Sequence, residues 1–428
     1  MENTVYTKDD IRRLVKEEDI KFVRLQFVDI LGSLKNVAIT SDQLEKALNN
    51  EIVFDGSSIT GFIRSKESDM YLIPDLNTFK IFPWRPSNGK VARLICDISM
   101  ADESPYTWDP RFVLKKAIKE AKDMGYNLKL APEFEFFLFY TDDNGHPTTT
   151  THDEAGYFDL GPIDLGENVR RDMVLTLEDM GFEIQASHHE VSPGQHEIDF
   201  ETIDALNAAD SIVTFKLVVK VIAQKHGLHA TFMPKPIYGK NGSGMHCNIS
   251  LYNEKQENVF FDSEDENKLS QTAKYFIGGL LKHAKAMTAI TNPTVNSYKR
   301  LVEGYEAPTY IGWSKIISSP FIRIPNINHN DAKIELRNPD SSCNPYLTLA
   351  VILSAGLDGI KNKITPPDIV TSEKLSQLTK TIYSDLRLPG NLKEAILELS
   401  KDEVIKDTLG DLCESYIKAK TLEWEEYS

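Results

Sequence analysis

Cysteine is scarce and scattered: Cys96, Cys247, Cys343 and Cys413 are the four thiols in 428 residues, and none forms a CxxC pair. That excludes a disulfide framework and a thiolate zinc site, and the apolar or helical surroundings predict buried free thiols. Long apolar runs are missing as well. No stretch approaches the roughly 18 apolar residues a membrane span needs, and Met1 to Glu17 is charged with no signal-type core. The expectation is a cytoplasmic chain without a membrane partner. Positive charge is in deficit, with 48 Lys and Arg against 64 Asp and Glu for a net −16. With no local basic patch, such a chain repels phosphate backbones and anionic lipid, which argues against nucleic acid as a partner. Internal repeats and low-complexity tracts are lacking, and Thr148 to Thr151 reads as a loop.

What remains is an ordinary globular composition, 41% hydrophobic, in a chain long enough for two domains. The first hundred residues alternate short strand-like runs with turns: Ile20 to Ile30, Asn36 to Ile39, Met70 to Pro74, Thr78 to Trp84 and Lys90 to Ile98. Two helices fit around them, one capped by Thr7 and one by Ser41, the latter with Leu44 and Leu48 one turn apart. A boundary falls near Ser104 to Pro110, dividing the chain into 1–104 and 105–428. There Asp109-Pro110 makes an N-cap and first-turn pair for a helix ending at Gly125. Beyond it, long helical patterns over Asp164 to Met180, Ile203 to His226, Ser270 to Ile290, Asn344 to Lys361 and Asn391 to Ser400 are separated by apolar strands. This is an α+β layout. Thr365 to Arg387, mixed in Pro, Ser and charge, is the expected mobile surface excursion.

Successive side chains of a strand point to opposite faces. In Leu128 to Tyr140 this rule puts Glu133 and Glu135 on one face, between the apolar Phe134, Phe136 and Phe137. Two adjacent carboxylates in so apolar a strand either face water on an edge or need a cation between them. The arrangement recurs. In Ser243 to Leu251, His246, Asn248 and Ser250 alternate with Met245, Cys247 and Ile249; in Ala332 to Arg337, Lys333, Glu335 and Arg337 alternate with Ile334 and Leu336. Singly, His246 fits a core histidine and Glu335 a surface ion pair. Together they suggest one sheet lining one cleft. Glu190 and Glu197 bracket the turn Ser192-Pro193-Gly194, where a hairpin would bring them close. His188-His189 lacks the i, i+4 spacing of a helical zinc site, and carboxylate-rich sites without thiolates favour Mg²⁺ or Mn²⁺. The loop Gly239 to Gly244 either approaches a ligand closely or simply joins strands, and it lacks the P-loop order of glycines and lysine.

The strings FDGSS from Phe54, PEFEFF from Pro132, SHHEVSPGQHEIDF from Ser187, KPIYGKNGSGMH from Lys235, NPTVNSYKRLVEGYEAP from Asn292 and NPYL from Asn344 resemble, in order and spacing, the signatures of type I glutamine synthetase. The resemblance implies an N-terminal β-grasp domain, a catalytic domain on a curved antiparallel sheet flanked by helices, and a dodecamer of two hexameric rings. It implies an ATP-dependent ligase of L-glutamate and ammonium, with two Mg²⁺ or Mn²⁺ ions per site. One ion would be held by Glu135, Glu190 and Glu197, the other by Glu133, His246 and Glu335. Arg300 and Arg337 would bind the glutamate carboxylate, and Asn241 and Gly242 its amino end. Gln185, Asn248, Ser250 and Arg323 would face the nucleotide. Asp55 from a neighbouring subunit would bind ammonium and take its proton beside the flap residue Glu306.

The chain departs from that pattern in places. Ser318 and Lys333 stand where arginines are usual, Gln185 where a glutamate is usual, and Glu303 where a proline is usual. These departures leave open a catalytically weakened paralogue with an assembly or nitrogen-sensing role, or a γ-glutamyl ligase for another amine. Arg64 falls in a segment resembling the family's subunit contact, which allows feedback coupling.

Overall fold

The fold is seen in a computed structural model that describes residues 5–56, 69–315, 317, 319–326, 331–371 and 384–428. Arg64, Ser318 and most of the segment expected to be a surface excursion lie outside the described residues.

Helix α1 (Lys8–Glu17) begins as Thr7 predicts. The Thr7 hydroxyl accepts from the Asp10 amide and the Asp10 carboxylate accepts from the Thr7 amide, a reciprocal capping box. Strands β1 (Ile20–Val28) and β2 (Leu34–Thr40) follow. Ser41 does not cap the next helix: residues Ser41–Gln43 form a 3-10 turn, and α2 (Leu44–Leu48) starts one turn later with no side-chain cap. After β3 (Val53–Asp55), the two runs read as separate strands are one long β4 (Asp69–Ile81), whose pairing with β5 (Lys90–Ser99) slips between Asp75 and Lys80. These strands make a five-stranded sheet, order β2-β1-β5-β4-β3, with β1 parallel to β5.

Helix α3 (Pro110–Asp123) is capped by Asp109 with Pro110 in its first turn. A ten-stranded sheet then forms around β6 (Asn127–Thr141). Its other strands are β7 (Pro147–Thr151), β8 (Ile184–His189), β9 (Gln195–Phe200), β10 (Ile203–Asp204), β11 (Leu228–Thr231), β12 (Met245–Tyr252), β13 (Tyr310–Ser314), β14 (Pro320–Arg323) and β15 (Ile334–Leu336). The order β13-β14-β15-β12-β6-β9-β8 is antiparallel except for β13 beside β14. The threonines read as a loop are strand β7, paired with the far end of β6. β-branched residues accept a strand wherever a long neighbour offers an open edge.

The helices over this sheet are α4 (Glu167–Asp179), α5 (Ala205–Lys225), α6 (Gln271–Thr291), α7 (Ser297–Arg300), α8 (Pro345–Lys361), α9 (Leu392–Leu399), α10 (Glu403–Leu409) and α11 (Leu412–Tyr427). Asp204, Ser270, Asn344 and Asn391 cap α5, α6, α8 and α9. Helices α6 and α8 meet backbone to backbone: a Cβ on Gly279 would stand 2.1 Å from the Ala355 carbonyl, and one on Gly359 2.1 Å from that of Tyr275. The four cysteines are free and buried, and no helix among the described residues is long and apolar enough to cross a membrane.

The two sheets are joined through Arg111 on α3. Its guanidinium donates to Asp75 (2.7 Å) and Asp97 (2.7 Å) of the small sheet and, through two nitrogens (3.1 and 2.9 Å), to Asp210 of α5. Tyr346 of α8 also donates to Asp210, at 2.7 Å. Removing a buried cation strands its partners. Arg111→Met should therefore cost about 3–5 kcal/mol, read as a lower denaturant midpoint; an unchanged midpoint would show that the joint contributes nothing.

Candidate active site

In antiparallel strands, residues directly opposite share a face. Along the large sheet, Arg323 is opposite Glu335, Glu335 opposite Asn248, His246 opposite Glu133, Glu133 opposite Asp199, Glu135 opposite Glu197, and Glu197 opposite His188. The three alternating strands of the sequence are neighbours, and their chemically loaded faces coincide. The reversal that returns β8 into β9 closes with the Glu190 amide donating to the Gln195 carbonyl at 2.8 Å. Gly194 has φ +68°, and a Cβ there would stand 2.9 Å from the Leu138 carbonyl, so the turn needs glycine.

Two groups of ligand atoms result, each within 4.8 Å of one another: Glu133, His246 and Glu335, and His188, Glu190 and Glu197. Glu135 lies between them, 3.8 Å from His246 Nε2, its Oε2 accepting from Gln195 Nε2 and the Gly244 amide at 2.9 Å each. Glu335 is fully buried and clasped by Arg323 and Arg337. His246 Nδ1 is 3.2 Å from Glu133, and its Nε2 is buried with no hydrogen-bond partner among the described residues. Asn248 donates to Glu133 at 2.6 Å.

The electrostatics divide the face. Burial pushes Glu133 upward, but the His246 hydrogen bond and charge outweigh it and hold the carboxyl at about 2. Glu190 is pushed up to about 7 by burial and then by the charge of Glu135. Asp199 rises to about 7 through burial and Glu133, and Glu197 is raised well above the carboxylate range by burial and Glu135.

A cavity of 260 Å³ opens on this face, lined by Glu133, Glu135, Glu190, Glu197 and His246 on one side and Asn241, Gly242, Arg300, Glu306, Arg323 and Arg337 on the other. Asn241 donates to Glu306 at 2.9 Å, and Glu306 holds φ +55°, a costly backbone for a non-glycine residue. Arg300 is buried and donates to the carbonyls of Asn338 (2.9 Å) and Arg337 (3.1 Å). Five expected residues are not part of the lining: Glu335 and Asn248 bond to groups that line it, and three stand apart. Ser250 is buried and donates to the Ala332 carbonyl at 2.9 Å. Gln185 is exposed at an irregularity in the β8 pairing. Asp55 is exposed on β3 of the small sheet. A larger groove of 810 Å³, between the small sheet and α5, has no carboxylate in its lining among the described residues.

A family model described as glutamine synthetase, catalytic domain, matches residues 107–428, and one described as glutamine synthetase, beta-grasp domain, matches residues 19–101. The chain belongs to the glutamine synthetase family. The glutamine synthetase of Clostridium saccharobutylicum is 58% identical over 425 residues, covering 99% of this chain and 96% of that protein. That of Staphylococcus aureus (strain MW2) is 54% identical over 431 residues, covering 100% and 96%. Among solved structures, GmaS in an ADP complex superposes with a TM-score of 0.89 at 32% identity, covering 98% of this chain and 96% of that chain. GmaS without ligand gives 0.88 at 33%.

Within this glutamine synthetase site, Gln195, Asp199, Tyr157 and Tyr305 were not singled out from the sequence. Alternation from Glu197 reaches Gln195 and Asp199 two residues either way; the tyrosines arrive from loops and carry no such signal. The raised carboxyls set a pH dependence. A carboxyl raised in the folded state favours folding below its unfolded pKa and loses that contribution as pH rises through its folded value. A divalent ion needs the same groups ionised. The Mn²⁺-induced increase in melting temperature should therefore grow between about pH 5 and pH 8, with protons released on binding. A pH-independent increment measured by calorimetry would contradict the assignment.

Proposed function

We propose that this chain catalyses ATP-dependent ligation of ammonia to the γ-carboxylate of L-glutamate, giving L-glutamine through γ-glutamyl phosphate. The observation that carries this reading is the single buried face where carboxylates, an imidazole and guanidiniums meet, in a chain whose full-length relatives at 58% and 54% identity are named glutamine synthetase. Those identities favour neither a weakened paralogue nor another amine.

The donors present fit two hard divalent ions. They are carboxylate oxygens and the imidazoles of His188 and His246 without thiolate, burial and neighbouring charge hold the carboxyls of one group toward the protonated form that a cation would displace, and His246 Nε2 has no protein partner among the described residues. Glu135, Glu190 and Glu197 would hold one Mg²⁺ or Mn²⁺, and Glu133, His246 and Glu335 the other. When bound, these ions supply Lewis-acid charge to phosphate oxygens.

The chain's own groups do the rest. Ammonia does not displace oxide from a carboxylate, so the γ-phosphoryl of ATP first passes to the γ-carboxylate oxygen, releasing ADP. Arg323 stabilises the charge developing on the phosphate oxygens. Arg300 and Arg337 orient the glutamate carboxylate, with Asn241 and Gly242 at the amino end. Gln185, Asn248 and Ser250 serve the nucleotide end. Asp55 takes a proton from ammonium; the ammonia formed attacks the acyl carbon and phosphate leaves. Glu306, bonded to Asn241, closes the flap that keeps water from the acyl phosphate.

The division at 104/105 separates the domain that offers Asp55 from the domain that offers the cavity, and the exposed position of Asp55 supports a site completed by a neighbouring subunit of a cytoplasmic dodecamer of two hexameric rings. Purified protein with glutamate, ATP and Mg²⁺ should release phosphate only when ammonium is added, and a trace indifferent to ammonium would end the proposal. Asp55→Asn and Arg337→Leu should each lower kcat by about 10²- to 10³-fold. Co-assembled in equal amounts, the two variants should recover roughly a quarter of wild-type activity, because a head-to-tail ring then contains sites with both residues intact. No recovery would place Asp55 and Arg337 in the site of one chain.

A further inference from the structure

Behind the carboxylate face lies a buried polar cluster of His152, Asp153, Asp164, Arg170, His189 and His196, none of which lines the cavity. Its ligand atoms lie close enough to suggest a metal, but the proton positions argue otherwise. The Arg170 guanidinium has no lone pair, so His196 Nδ1, 2.9 Å away, must accept from it. The proton of His196 therefore sits on Nε2, the nitrogen a metal would need. His152 Nδ1 faces the Leu138 carbonyl at 3.3 Å and carries the proton, which leaves a lone pair on its Nε2.

The bonds of Asp153 converge instead on the β8–β9 hairpin. Oδ1 accepts from the Gly194 amide at 2.8 Å and from His189 Nε2 at 3.1 Å, one on each side of the turn. His189 Nδ1 in turn donates to the Glu190 carbonyl at 2.6 Å. Oδ2 lies 3.2 Å from His152 Nε2, and the Asp153 side chain is fully enclosed. The turn spanned by these bonds runs from Glu190 to Gly194, between Glu190 and Gln195-His196-Glu197. Gln195 fixes Glu135 at 2.9 Å and the Gly242 carbonyl at 3.1 Å.

We propose that Asp153 is a positioning residue for the metal site: by tying His189 to Gly194 it fixes the separation of Glu190 and Glu197, although it touches neither. The inference rests on the reading of those glutamates as ligands. It requires both the position of the Oδ1 acceptor and the carboxylate charge, because His189 donates from both ring nitrogens and is therefore an imidazolium paired with Asp153. An asparagine keeps an oxygen acceptor for the Gly194 amide but lacks the negative charge that pairs with the His189 imidazolium.

The test is Mn²⁺ titration of full-length, assembled, metal-stripped protein by calorimetry, with free Mn²⁺ followed by its paramagnetic resonance. Asp153→Ala should weaken Mn²⁺ binding by about 10- to 100-fold, the usual effect of removing a group that orients metal ligands. Binding of the second Mn²⁺, assigned to Glu133, His246 and Glu335 outside the hairpin, should stay unchanged. Asp153→Asn, which leaves the His189 imidazolium without its counter-charge, should weaken binding as well. Should the alanine variant fail to assemble, Asp153→Glu, which keeps the charge but displaces the oxygens, should show the same weakening. Wild-type affinity in the alanine, asparagine or glutamate variant overturns the proposal. A wild-type protein that binds no Mn²⁺ would instead overturn the ligand reading beneath it.

Discussion

Six carboxylates crowd one face of the large sheet, and their mutual repulsion is the constraint to which the site's other groups respond. At 4 Å and an effective dielectric near 20, two like charges repel by about 4 kcal/mol. The chain relieves this in three ways. Arg323 and Arg337 clasp Glu335, His246 and Asn248 hold Glu133, and Glu190, Glu197 and Asp199 are held toward the protonated form. The two proposed metal positions thus differ before any ion arrives. The one at Glu133 has its negative charge already in place, whereas the one at Glu190 and Glu197 must give up protons to gain it. Metal binding there exchanges one cation for another, which ties site occupancy to pH without any dedicated sensor.

Such crowding is tolerable only on a support that cannot spread. Alternation along β6 puts Glu133 and Glu135 on the site face and Phe134 and Phe136, both fully buried, on the other. Behind them Phe134 packs on Phe215 with ring centroids 4.8 Å apart, and Phe136 on Phe232 at 5.9 Å. Backbone separation of the carboxylates is therefore fixed by a close-packed aromatic layer. The hairpin carrying Glu190 and Glu197 is at the sheet margin and lacks a core of that kind on its turn. Its restraint is polar, which is why a buried aspartate two strands away in the pairing order can matter to it.

Local rules made much of this readable in the sequence. Period-two alternation placed Glu133, Glu135, His246, Asn248 and Glu335 on strand faces, side-chain caps placed the starts of α1 and α3, and helical patterns placed those of α5, α6, α8 and α9 within a residue or two. Features decided by distant partners were not readable. β7 is a strand because β6, fifteen residues long, has edge to spare for it. The 3-10 turn at Ser41 and the slip in β4 depend on what those segments pack against. Asp55 has no local signature of function; its expected role came only from the family likeness. Asp153 is silent for a related reason, since its partners His189 and Gly194 lie 36 and 41 residues away.

The joint between the two sheets bears on how a shared site could close. Besides Arg111, Asn344 at the start of α8 donates to the carbonyls of Asp29 (3.1 Å) and Ile30 (3.4 Å) while its Oδ1 caps its own helix. Gly32 packs so near that a Cβ would stand 3.0 Å from the Asn344 Cα. A hinge between the small sheet and the large one would have to break this backbone contact and expose the Arg111 cluster together. In the proposed ring, Asp55 therefore cannot reach a neighbour's cavity by swinging on its own subunit. In that ring its approach would be set by how subunits seat against one another, and closure around substrate would fall to the proposed flap at Glu306, whose backbone is strained.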